Sequence, residues 1–198
     1  NQVIKEPARI RQAFIYIFGG LYMEEAKKVF LRLKVETSDA NKIINWLDDK
    51  DVTKYLNESN DEIYSLTELI KNNKTDLLTY YLNQEGRFFL VDKRDGNCIG
   101  FLNLFTHIDK KRYEIVIVIG DETNWGQGYG KAVIKECMKE VFLKWRIEEL
   151  VCKVNKNNDR SIKLFEHLKF IKRTLNDKYF EYQITFNDYL NNISFYNN

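Results

Sequence analysis

The sequence predicts an α/β protein, a mixed sheet with helices packed on both faces, and three stretches carry that prediction. Residues 28–36, "KVFLRLKVE", alternate apolar and polar side chains, with Val29, Leu31, Leu33 and Val35 facing one way, the period of a half-buried strand. Residues 113–121, "YEIVIVIGD", are a nearly continuous β-branched run, as expected of a strand covered on both faces. After a glycine-rich segment, Val133, Ile134, Cys137, Met138, Val141, Phe142 and Trp145 recur at spacings of three and four, which is the strongest helical pattern in the chain.

The remaining elements follow in order. In "TSDANKIINWLDD", Ser38 or Asp39 offers an N-cap, and Ala40, Ile43, Ile44 and Leu47 stand at helical spacing. A second amphipathic helix covers residues 62–71, with Ile63, Leu66 and Ile70 inward. Residues 87–92 and 98–107 read as a hairpin turning through Arg94-Asp95-Gly96-Asn97. "EELVCKVN" is a strand, and "DRSIKLFEHL" is a helix with Ile162, Phe165 and Leu168 on one face. "KYFEYQITF" alternates again and closes the sheet. The aromatic pairs Tyr80-Tyr81 and Phe88-Phe89 are expected in the core. The order β-α-α-β-β-β-α-β-α-β-β places helices on both faces of one sheet.

Composition narrows the function. The 198 residues suffice for one domain with a sizeable core, and 44% hydrophobic content fits a globular chain. We read residues 1–28 as an N-terminal extension, 29–190 as a single domain and 191–198 as a C-terminal tail. Gly19-Gly20-Leu21-Tyr22 directly before Met23 resembles a translated ribosome-binding sequence and its spacer, which makes Met23 the expected natural start. A net charge of +2, from 31 basic and 29 acidic side chains, gives no electrostatic case for nucleic acid. No apolar run reaches the roughly 18 to 20 residues of a membrane span. Cys98, Cys137 and Cys152 form no C-x-x-C pair, and two histidines, His107 and His167, supply no metal-ligand spacing. Buried thiols and a cytoplasmic location are expected, with both histidines as solvated surface groups.

The segment "GDETNWGQGYGKA", residues 120–132, asks for a chemical reading. A P-loop requires G-x-x-x-x-G-K-[ST], but Gly130-Lys131 is followed by Ala132, which has no hydroxyl for Mg²⁺. A dinucleotide fingerprint requires G-x-G-x-x-G, whereas Gly126, Gly128 and Gly130 give G-x-G-x-G. A strand, a glycine turn and a long helix remain. The first-turn N–H groups of such a helix lack intrahelical acceptors, and glycines let a pyrophosphate approach them. The glycines alone fit a phosphate cradle and a plain tight turn equally well.

The wider pattern decides between them. Tyr113-Glu114-Ile115, Ile119-Gly120, Trp125-Gly126-Gln127-Gly128-Tyr129, Asn158-Asp159-Arg160-Ser161-Ile162 and Glu166-His167-Leu168-Lys169-Phe170 occur in that order. Together they resemble the GCN5-related N-acetyltransferases (GNATs), and most closely the ribosomal-protein N-terminal acetyltransferase (RimJ/RimL-type) branch. "INWLDDKDVTKYL" looks like the opening helix of that branch. The resemblance covers residues 29 to about 188. It implies the GNAT fold, a mostly antiparallel sheet of about seven strands with its fourth and fifth strands splayed apart.

The resemblance implies acetyl-CoA as the donor, no metal, a primary amine as the acceptor and direct attack in a ternary complex. The acceptor is a protein N-terminal amine or a small-molecule amine such as an aminoglycoside or polyamine, and a homodimer is common in the family. A non-catalytic acyl-CoA-binding module is the alternative class. The backbone of Gln127 to Lys131 is implied to hold the pyrophosphate, with Trp125, Gly126, Gly128, Tyr129 and Gly130 completing the turn. A backbone N–H near Val118 or Ile119 is implied to polarise the thioester carbonyl, and Asn158 to bond the pantetheine arm. Glu114 matches the family's acidic residue and is the expected general base. The family's proton-donating tyrosine falls on Phe165, which has no proton to give, so Ser161 is the substitute candidate. Asp48, Asp49, Asp51 and Glu58 offer a cationic acceptor negative charge or form a solvated helix end.

Overall fold

A computed structural model describes residues 28–56, 60–84, 86–106 and 111–197. The expected N-terminal extension, His107, Glu58 and the side chain of Ile63 therefore lie outside the described residues. Seven strands form one sheet: β1 (Val29–Arg32), β2 (Gly86–Lys93), β3 (Cys98–Thr106), β4 (Arg112–Ile119), β5 (Glu149–Asn155), β6 (Ile171–Thr174) and β7 (Tyr179–Thr185). Their spatial order is β1-β2-β3-β4-β5-β7-β6. Every neighbouring pair is antiparallel except β4 and β5. That parallel pair needs a crossover, and α5 (Tyr129–Met138) supplies it.

The side-chain alternation of β4 divides the core in two. Ile115, Ile117 and Ile119 face a cluster built on α5 and on the helix α6 (Asp159–His167), with Val133, Ile134, Cys137, Met138 and Phe165. Val118 faces the other way, into a cluster built on α1 (Thr37–Asp48), with Ala40, Ile43, Trp46 and Leu47. The β-branched run is thus covered on both faces, as its composition requires. Phe88 and Phe89 are both buried, one in each cluster. The hairpin turn closes through Gly96 at φ +80°, with Lys93 and Asn97 bonded across it.

Several boundaries differ from the sequence reading. β1 ends at Arg32, and Leu33 turns out to solvent at 44% exposure. Arg32 explains the stop. Its guanidinium bonds Asp92 on β2 (2.6 and 3.0 Å) and Asp39 in the first turn of α1 (2.8 and 3.2 Å), so the chain is drawn from the sheet into the helix. The helix begins at Thr37, ahead of Ser38 and Asp39, and Asp39 accepts the Glu36 N–H (2.8 Å) from inside its first turn. α2 (Lys50–Thr53) follows, capped by Asp49, which accepts from Asp51 N (2.8 Å) and Val52 N. The next helix, α3, is Asn60–Asn72 and carries Leu66 and Ile70 against the α1 cluster.

A further helix, α4 (Thr75–Tyr81), has no counterpart in the sequence reading, and it exposes Tyr80 (66%) rather than burying it. The apolar stripe expected to run on to Trp145 changes pitch: α5 ends at Met138, and residues Lys139–Lys144 form a π-helical turn that still buries Val141 and Phe142. Most of the described part of the segment expected as a tail is helical. After α7 (Phe186–Asn191), α8 (Ile193–Asn197) buries Tyr196, whose hydroxyl donates to Leu168 O (2.8 Å).

Candidate active site

β4 and β5 pair over three positions only: Arg112 with Glu149, Tyr113 with Leu150 and Glu114 with Val151. Beyond Glu114 the two strands diverge, and a cleft of about 310 Å³ opens between them. One wall is Ile115 to Ile119, the other is Cys152 to Val154, and the mouth is framed by the glycine turn and the start of α6. Tyr55, Val52 and Asp51, on and just after α2, border it from the α1 side.

The turn is built for close approach. Gly126 and Gly128 have φ of +72° and +79°, a region in which a side chain is strained. Gly128 starts α5, and the Ala132 N–H is bonded to the Gly128 carbonyl (3.1 Å). The N–H groups of Tyr129, Gly130 and Lys131 precede that ladder and carry the positive end of the helix dipole. Gly130 lines the cleft without a Cβ. Such a cradle fits a diphosphate, which needs several convergent donors and room for its oxygens.

Val118, Ile119, Trp125, Gly126, Gly128, Tyr129, Gly130, Lys131, Asn158, Ser161 and Phe165 all line the cleft. Gln127 does not. Its side chain donates back to Thr123 O (2.5 Å) and its carbonyl accepts from Lys28 (2.5 Å). The two amides proposed for the thioester carbonyl are also not equivalent. Gly120 N–H donates to Ile99 O on β3 (2.9 Å), so alternation turns the Val118 N–H toward β3 as well. Ile119 faces the opposite way, into the splay. Its carbonyl accepts the Trp125 indole N–H (2.7 Å), which leaves Ile119 as the better placed of the two.

Glu114 sits at the closed end of the splay, at the last paired position, and is not itself part of the cleft wall. Lys153, two residues beyond that position on β5, is part of the wall, and its Nζ lies 2.8 Å from Glu114 Oε2. At the other end, Arg160 in the first turn of α6 stacks its guanidinium 3.8 Å from the Trp125 ring centroid. Neither cation was singled out by sequence. Lys153 occupies an ordinary polar position in an alternating strand, and Arg160 stands between the two motif residues Asn158 and Ser161.

The groups near the thiol-leaving position are limited. Asn158 caps α6, its Oδ1 accepting from the Ser161 N–H (3.1 Å), which keeps its Nδ2 as the donor for a ligand. Phe165 meets Phe170 edge-on and stacks on Tyr182, with ring centroids 5.1 and 5.7 Å away. Tyr182 does not replace the missing hydroxyl. Its OH donates to Glu166 (3.2 Å), and burial together with Glu166 raises its pKa well above the usual phenol range. Cys152 lines the cleft, but burial, with Glu114 adding to it, pushes its thiol far up and keeps it protonated and unreactive.

A splayed parallel pair leading onto a glycine-rich helix N-terminus defines an acyl-CoA-dependent transferase. The chain belongs to the GNAT acetyltransferase family: residues 28–171 match the model described as "Acetyltransferase (GNAT) domain". It is 29% identical over 147 residues to Uncharacterized N-acetyltransferase p20 of Bacillus licheniformis, spanning 72% of this chain and 79% of that protein. Among solved structures, spermidine N-acetyltransferase from Vibrio cholerae in complex with CoA and spermine superposes with a TM-score of 0.64 at 20% identity. The match covers 82% of this chain and 98% of that one. A GNAT-family acetyltransferase from Bacillus anthracis gives 0.61 at 16% identity, covering 82% and 98%.

Proposed function

We propose that this acyltransferase carries the acetyl group of acetyl-CoA directly onto a primary amine, in a ternary complex, with a protein N-terminal α-amine as the acceptor. The observation that carries the reading is the divergence of β4 from β5 just past Glu114, which opens a cleft from the glycine cradle to Lys153, whose Nζ lies 2.8 Å from Glu114. Acetyl-CoA supplies an activated acyl group. The chain supplies everything else: Tyr129, Gly130 and Lys131 N–H donors for the diphosphate, Asn158 for the arm, and the Ile119 N–H toward the carbonyl. Glu114, directly or through water, takes the proton that the attacking amine must lose.

Direct attack is supported by Cys152. It is the one thiol lining the cleft among the described residues, and its buried, protonated state makes it a poor acyl carrier. Ser161 lines the cleft and can hand a proton to the departing thiolate, although the acidity of a CoA thiol lets solvent serve as well. The likeness to the RimJ/RimL-type branch rests on "INWLDDKDVTKYL" and on the ordered motifs, and it supports a protein N-terminus as acceptor. All three cysteines are free and buried, which supports a reducing, cytoplasmic location.

A small-molecule amine is the second reading. It is favoured by the shared fold of a spermidine N-acetyltransferase. Release of CoA thiol on peptides, polyamines and aminoglycosides in parallel tests both. Turnover confined to peptides upholds the first reading, turnover confined to small amines the second. Tight CoA binding with no turnover on any amine overturns the transferase reading in favour of a binding module.

A further inference from the structure

The charges along the cleft sort by position. Among the described residues that line it, Lys131, Lys153 and Arg160 are cationic and Asp51 alone is anionic. Lys131 and Arg160 stand at the mouth, beside the phosphate cradle. Lys153 stands at the closed end. Glu114 lies five residues before Ile119 on β4, so about 17 Å of strand separates the closed end from the glycine turn. A cation at that end is remote from every phosphate of a bound CoA, and the thioester that reaches it is uncharged.

Among the described residues, three carboxylates near Lys153 on this face of the sheet, Glu114, Glu149 and Glu181, each hold a cation. Glu114 is bonded by Lys153 itself (2.8 Å). Glu181, opposite Lys153 on β7, holds Arg112 (2.8 Å), and Glu149 holds the same guanidinium (3.3 Å). Near the mouth, Asp121 accepts the Trp46 indole N–H (3.3 Å). Among the described residues, a polycationic acceptor would therefore meet an ammonium at the reacting end and, lining the cleft, the single carboxylate of Asp51.

We infer that the acceptor is an amine carrying a carboxylate beside it, its ammonium or amine directed to Glu114 and its carboxylate to Lys153. Lys153 is then a specificity-determining and positioning residue, complementary to a zwitterion together with Glu114. This inference rests on the reading of the cleft as an amine acetyltransferase site. The same chemistry is presented by a free α-amino acid and by a peptide N-terminus followed by an acidic residue.

The test follows CoA thiol release with wild-type protein and Lys153→Gln on matched acceptors: glycine against glycinamide, a Ser-Asp peptide against a Ser-Lys peptide, and spermidine. The carboxylate-bearing member of at least one pair is expected to show a kcat/KM at least tenfold above its mate and above spermidine, and the pair that responds identifies the source. Lys153→Gln is expected to erase that advantage through KM, while kcat on the mate lacking the carboxylate changes less. Lys153→Arg is expected to restore much of it. The inference is overturned if wild-type protein prefers spermidine or the mates lacking the carboxylate. It is equally overturned if Lys153→Gln lowers turnover of every acceptor alike, as a purely structural ion pair would. Binding of CoA without thiol release on any arm is a separate failure, that of the transferase reading itself.

Discussion

The Arg160 guanidinium lies 3.8 Å from the centre of the Trp125 indole, and the same indole donates to the Ile119 carbonyl (2.7 Å). Three elements are thereby linked across the mouth of the cleft: the end of β4, the glycine turn and the first turn of α6. The stack is a cation–π contact, worth about 1 kcal/mol when partly desolvated. It ties the two walls together where a bound cofactor must leave.

Replacement of Arg160 by alanine is therefore expected to weaken CoA binding about fivefold, the equivalent of about 1 kcal/mol, mainly through faster dissociation. Calorimetry and stopped-flow release measure the two quantities. Trp125 fluorescence should also respond to CoA in the wild type and respond less in Arg160→Ala. Unaltered affinity and release would show that the stack is a surface contact with no hold on the cofactor.

Glu114→Gln keeps an oxygen for Lys153 and the shape of the side chain but removes the base. We expect kcat to fall by roughly 10² to 10⁴, with CoA affinity nearly unchanged because the phosphate cradle lies at the far end of β4. Steady-state turnover paired with CoA titration separates the two effects. Turnover within twofold of wild type would remove Glu114 from the chemistry and leave Lys153 as its structural partner only.

The parts of this site legible in the sequence are those whose cause is local. Gly126 and Gly128 announce positive φ, and the three-and-four spacing after them announces the helix whose N-terminus they open. Glu114 and Asn158 were legible through ordered motifs. What escaped depends on partners distant in sequence. Lys153 is marked by Glu114, 39 residues earlier, and Arg160 by the ring of Trp125. The early end of β1 likewise follows from Arg32 reaching Asp92, 60 residues on. Tyr196 looks like a residue of a polar tail until the Leu168 carbonyl is beside it.

The two glycines at the start of α5 should separate turn geometry from ligand contact. Gly128 holds φ +79°, so Gly128→Ala is expected to destabilise the fold by about 1–2 kcal/mol and to loosen CoA binding as well. Gly130 is helical, and an added Cβ would meet Leu164 at 3.4 Å, an ordinary contact. Gly130→Ala should leave thermal stability unchanged or raise it slightly, since alanine is the better helix former by about 1 kcal/mol. It should nevertheless weaken CoA binding, because the new methyl enters the cleft. If Gly130→Ala binds CoA as the wild type does, the glycines serve the turn alone.

Arg32, Asp39 and Asp92 form the ion cluster that fixes α1 to the sheet, and with it the α1 side of the cleft. Burial pushes the Asp39 carboxyl up, but the bonds from Arg32 and the Glu36 N–H, aided by Lys42, outweigh it and leave the pKa below the ordinary carboxylate value. A carboxyl with a depressed folded pKa contributes its stability above the unfolded value of about 3.9 and loses it as pH falls through the folded one. The acid limb of unfolding should thus contain an Asp39 contribution confined to pH below about 4, absent in Asp39→Asn. At neutral pH that variant leaves the half-buried Arg32 guanidinium with Asp92 as its remaining carboxylate partner, a loss on the order of 2 kcal/mol. Urea unfolding at pH 7 and pH 3.5 measures both. A neutral-pH difference below about 0.5 kcal/mol, the scale of a surface substitution, or an equal difference at both pH values, would show that α1 is held by its apolar face, Ala40, Ile43, Trp46 and Leu47, without help from the ion cluster.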